Sequence, residues 1–86
     1  DDIAKEITDI EQRVRRTILD AMINLANLGI VDYTNAEFEY YTPRYFDLTD
    51  IRYLMQQIEN NEQRKAKVNI KKFIQVLYSE IISKVN

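Results

Sequence analysis

From Asp2 to Leu28 the apolar residues Ile3, Ile7, Ile10, Val14, Ile18, Ala21, Leu25 and Leu28 recur three or four positions apart, the spacing that gathers side chains on one face of an α-helix. Asp1, Asp2 and Glu6 complement the positive end of its dipole, and Gly29, the only glycine, is suited to a left-handed cap that ends it. The second half carries a further apolar row, Leu19, Met22, Ile23 and Ala26, displaced by roughly 130° if each residue turns the helix by about 100°. Two faces of that half therefore want cover.

Beyond Asp47, Leu48 and Thr49 precede Ile51, Leu54, Met55 and Ile58, which reads as a staple residue, an N-cap and a short amphipathic helix over residues 50–60. Ile70, Phe73, Ile74, Leu77, Tyr78, Ile81, Ile82 and Val85 define another helix over 69–85 with one wide apolar face. Asn60 and Asn61 interrupt the two, and the apolar faces are out of phase by roughly 130° at about 100° per residue. A break between residues 60 and 69 lets both faces meet one core, with Asn69 capping the restart. The connector, residues 29–48, holds or borders Tyr33, Phe38, Tyr40, Tyr41, Tyr45, Phe46 and Tyr53, together with the only proline, Pro43. It is compatible with a loop, with a short helix begun at Thr34 or Asn35, or with a β-hairpin pairing Ile30–Tyr33 with Phe38–Tyr41, and the pattern leans to the hairpin. The expectation is one all-α or nearly all-α domain over residues 1–86, made of three helices around an aromatic connector.

With 86 residues, 45% hydrophobic and 30% charged, the composition is that of an ordinary globular sequence. A domain this short buries only roughly 60–65% of the surface its unfolded chain exposes. It has no cysteine to staple a thin core, so packing or oligomerisation must supply stability. No apolar run approaches the roughly 18 residues a membrane span requires, and the acidic start is unlike a signal peptide. These features point to a soluble, intracellular protein away from membranes. Because the chain opens on Asp rather than Met, it reads as a processed product or as a piece of something longer.

Histidine and cysteine are both absent, which removes Ser-His-Asp and Cys-His triads, imidazole metal sites and finger-type zinc sites. Carboxylate pairs remain, such as Asp47 with Asp50, Glu37 with Glu39, and Glu59 with Glu62, but helix caps and solvated faces account for these spacings. One glycine cannot build a phosphate-cradling loop. The chain is therefore read as noncatalytic, with no catalytic, metal or cofactor site.

Net charge is −2, yet residues 1–43 carry four basic and nine acidic groups against eight and five in residues 44–86. Arg64, Lys65, Lys67, Lys71 and Lys72 cluster before the last helix, suited to a solvated helix start, to phosphate, or to the acidic first helix of another chain. The run RVRRTILDAMINLANLGIVD, Arg13 to Asp32, followed by FEYYTP at Phe38 to Pro43, resembles the recognition helix and wing of winged helix-turn-helix proteins. That resemblance implies DNA binding with Arg13, Arg15 and Arg16 toward the major groove, although the two helices expected before the recognition helix are missing. The favoured reading is a protein-binding module, an adaptor, regulator or assembly subunit whose partner is another chain or a second copy of itself. Leu19, Met22, Ile23, Tyr41, Arg44 and Tyr45 are its candidate contacts, since aromatic residues and arginine anchor interfaces. Nucleic-acid binding through Arg13, Arg15, Arg16 and the Arg64–Lys72 cluster is the alternative.

Overall fold

The computed structural model describes residues 1–85 and contains, among them, four α-helices and no strand: α1 (Asp2–Val31), α2 (Ala36–Tyr45), α3 (Leu48–Glu59) and α4 (Ile70–Val85). The all-α expectation holds, but the connector supplies a fourth helix where a hairpin was favoured. Local capping explains the difference. Asn35 Oδ1 accepts hydrogen bonds from the backbone N–H groups of Glu37 (3.0 Å) and Phe38 (3.1 Å), which satisfies two of the donors a helix start leaves open. Just before it, the Asp32 carboxylate accepts from the Thr34 N–H (2.9 Å) and hydroxyl (2.7 Å), closing the turn out of α1. These bonds hold the Asp32 carboxyl below its ordinary value.

Gly29 does not end α1. The helix runs on to Val31, and no glycine has a positive φ. What Gly29 provides is room, because a Cβ there would stand 2.5 Å from the ring of Phe38. The left-handed residue is instead Asn61, with φ of 57°. Asn61 N–H donates to the Ile58 carbonyl (3.1 Å) and Glu62 N–H to the Gln57 carbonyl (2.7 Å), closing α3 where the Asn60-Asn61 pair was expected to break it. The cap of α3 is Asp47, two residues before the expected Thr49, whose N–H it accepts at 2.9 Å. Asn69 caps α4 as expected, accepting from Lys72 N–H at 3.0 Å.

The core comprises Ile18, Met22, Leu25 and Ala26 of α1, Phe38 and Tyr45 of α2, Phe46, and Ile51 and Leu54 of α3. The buried part of α1 thus takes Ile18 and Leu25 from the first apolar row and Met22 and Ala26 from the second. The helix meets α3, its most extensive neighbour, along the ridge between the rows. Between α3 and α4 the chain is tied down by buried Gln57, whose amide donates to the Lys65 carbonyl (2.8 Å) and accepts from the Lys65 N–H (2.7 Å).

Two parts lie outside this core. Residues 1–13 of α1 are exposed throughout, and α4 has no buried residue. The radius of gyration, 14.7 Å, exceeds the about 12 Å of a compact chain this long.

Replacing Gly29 by Ala should destabilise the domain by about 1–3 kcal/mol in urea unfolding, since the overlap with a buried ring outweighs the gain in helix propensity. Gln57→Ala should cost about 2 kcal/mol, because it strips two partners from the Lys65 backbone. A chain unaffected by either would contradict the packing described.

Candidate interaction surface

Helix α4 is attached along one edge. Phe73 packs against Tyr45 (ring centroids 5.1 Å) and Phe46 (5.8 Å), and Lys72 Nζ donates to the Phe46 carbonyl at 3.0 Å. Two turns farther on, Glu80, the only carboxylate in α4, accepts from the hydroxyls of Tyr45 (2.6 Å) and Tyr40 (3.1 Å). Arg44 completes the cluster, its guanidinium 3.9 Å from the centre of the Tyr40 ring and donating to the Tyr40 carbonyl at 2.6 Å.

The ionisation of these groups follows from the geometry. The Tyr45 hydroxyl bond lowers the Glu80 pKa, and the bond to Glu80 raises that of Tyr40. Burial, with Glu80 second, pushes Tyr45 up to about 12.

The opposite side of α4 is bare. Ile74, Tyr78, Ile81 and Ile82 are between 40% and 65% exposed, although a helix so apolar would ordinarily bury such a face. Where α4 leans away from α1 and α2, a groove of about 470 Å³ opens, floored by Leu25, Tyr45 and Phe73 and edged by Leu28, Tyr41 and Leu77. A second bare stripe, Ile3, Ile7 and Ile10 at 52–67% exposure, lies on the projecting half of α1.

The sequence-predicted contacts divide. Met22 and Tyr45 are core residues at 1% and 6% exposure, so these two side chains are covered within a single molecule. Leu19 and Ile23 are half-buried. Tyr41 and Arg44 are exposed, with Tyr41 packed edge-on against Tyr40 at 4.9 Å. The α4 face was legible as an apolar stripe but was assigned to the core. Glu80 had no signal beyond being a lone acid in an apolar helix.

The basic residues divide as well. Arg15 Nη1 donates to the Val68 carbonyl at 3.3 Å, which brings the two basic runs of the sequence side by side. Arg13, Arg16, Arg64, Lys65, Lys67 and Lys71 are exposed, whereas Lys72 is engaged with Phe46, and Asp47 and Asp50 stand beside Lys67. The wing implied by the winged-helix resemblance is absent, because Phe38 to Pro43 lie inside α2. Among the described residues no group of three or more His, Cys, Asp or Glu is placed to hold a metal ion, and no helix is long and apolar enough to cross a membrane.

Comparison with known proteins adds two findings. The YcbB domain family matches residues 1–77. The chain is also similar to the transcriptional regulatory protein GlnL of Bacillus subtilis (strain 168), with 32% identity over 82 residues, 92% of this chain and 26% of that protein. The chain thus spans about a quarter of the length of this relative. No solved structure matches.

The tyrosine clamp carries a pH signature. Since the fold raises the Tyr45 pKa, its stabilising contribution is complete below the ordinary tyrosine value of 10.0 and is lost as pH rises toward about 12. Spectrophotometric titration should find Tyr45 ionising last among the tyrosines, and Tyr45→Phe should remove that final step. Ionisation of every tyrosine near 10 in the folded chain would contradict the clamp.

Proposed function

The chain belongs to the YcbB domain family, and we propose that it is a noncatalytic protein-binding module of a transcriptional regulator, docking another chain on the bare face of α4. The observation that carries this reading is a helix of 16 residues with no buried side chain and four large apolar ones, Ile74, Tyr78, Ile81 and Ile82, exposed on its outer side. Water contact with such a stripe is unfavourable at roughly 25 cal/mol per Å², and contiguous apolar surface on a soluble domain marks contact sites. Charge specifies the occupant. The segment Arg64–Val85 holds six basic groups against the single acid Glu80, and Glu80 is turned inward to Tyr45. The fitting partner is therefore an amphipathic helix whose apolar stripe is bordered by carboxylates, with charge setting its orientation. Likeness to part of a transcriptional regulatory protein, together with the lack of His and Cys, supports a regulatory role without catalysis.

Nucleic-acid contact is the second reading, favoured by the placement of Arg15 beside the Arg64–Lys72 segment. An electrophoretic shift that disappears with added salt and with Arg13→Glu/Arg16→Glu would support it; no shift at low ionic strength removes it.

A photo-crosslinking side chain at Tyr78 or Ile82, in cells that make the protein, should give a discrete protein adduct. The same group at exposed Glu59 should give none. A nuclease-sensitive adduct, or none at either α4 position, would overturn protein docking on this face.

A further inference from the structure

We propose that two copies of the chain associate through the projecting half of α1, paired antiparallel along Ile3, Ile7, Ile10 and Val14. This rests on reading the chain as a binding module but uses a face remote from that of α4.

Three observations carry it. The first is spacing: the four residues are separated by four, three and four positions, the a/d repeat of a two-helix seam over two heptads. Ile3, Ile7 and Ile10 are more than half exposed, and the exposed stretch, residues 2–13, projects about 18 Å at 1.5 Å per residue.

The second is access. At about 100° per residue the stripe is centred roughly 75° around the helix from the buried set Ile18, Met22, Leu25 and Ala26; Ile3, Ile7 and Ile10 stand clear of the packed body, and Val14 at the root is half-buried against it. The chain's own linker runs along the far flank, where Arg15 meets Val68.

The third is charge, which selects a second copy and its direction. The tip carries Asp1, Asp2, Glu6, Asp9 and Glu11 against Lys5 alone, while the root carries Arg13, Arg15 and Arg16. Laid antiparallel, Ile3 faces the partner's Val14 and Ile7 faces the partner's Ile10. Glu6 then lies beside the partner's Arg13, a pair that occurs twice by symmetry. Laid parallel, Glu6 would meet the partner's Glu11 and the acidic tips would lie together, a like-charge arrangement that specific helix pairs avoid.

Sedimentation of the full chain over a concentration series should show a reversible dimer. Glu6→Arg and Arg13→Glu should each weaken it by about tenfold, as expected for turning two attractive flanking pairs into two repulsive ones. The double variant Glu6→Arg/Arg13→Glu should restore association, with unchanged circular dichroism throughout. The natural chain has no cysteine, so disulfide trapping is unambiguous: Glu6→Cys mixed with Arg13→Cys should cross-link, and Ile3→Cys alone should not. A monomer at several hundred micromolar, a dimer indifferent to these charges, or an Ile3→Cys homodimer would each overturn the proposal. None of these results would alter the crosslinking expected at Tyr78 and Ile82, so failure here and failure of docking on α4 are separable.

Discussion

The ridge of α1 between its two apolar rows rests on α3, and Met22, Ile51 and Leu54 meet there with essentially no solvent contact. The rest of the structure is arranged around that contact because so short a chain has few residues to bury. Once Ile18, Leu25 and Ala26 are added, α2 can close the core only by bringing Phe38 against α1, and Gly29 is the residue that leaves space for the ring. A thin core so constructed cannot also cover α4 and the first three turns of α1. These two pieces are consequently apolar but bare.

Their attachment differs in kind. The projecting half of α1 is an uninterrupted continuation of a core helix, held by backbone hydrogen bonds and propensity. Helix α4 is held by an edge of aromatic contacts and by hydrogen bonds from Tyr40 and Tyr45 to Glu80. Polar groups give a directional grip where burial is small, since a charge-assisted hydrogen bond is stronger than a neutral one. The same bonds turn the lone acid of α4 inward, so its outer face is apolar and no carboxylate borders it. Function and architecture are linked at this point. The polar clamp fixes the helix and, in doing so, leaves its apolar side exposed.

Three helices and the break between α3 and α4 were legible in the sequence, because amphipathic periodicity and asparagine caps are local signals. Helix α2 was not. Alternating aromatic and polar residues at Phe38–Tyr41 also satisfy a strand pattern, and the deciding bonds from Asn35 cost nothing in either reading until the ring of Phe38 is seated. Two of the candidate contacts, Met22 and Tyr45, lie in the core for a related reason. Periodicity shows that Met22, Tyr45, Ile74 and Ile81 lie on apolar faces, yet it carries no information on how much cover a chain can supply or to which face it goes.

The sequence by itself determined the helical class, the cap at Asn69, the absence of histidine and cysteine chemistry, and the unequal spread of charge. All of these depend on residue identity and short-range spacing. Only the tertiary structure decided that α1 buries the ridge between its rows, that Gly29 serves packing rather than a turn, and that Glu80 clamps α4 with its apolar side outward. Those outcomes come from competition among several apolar faces for one small core, and such a competition is resolved by three-dimensional fit, not by any stretch of chain taken alone.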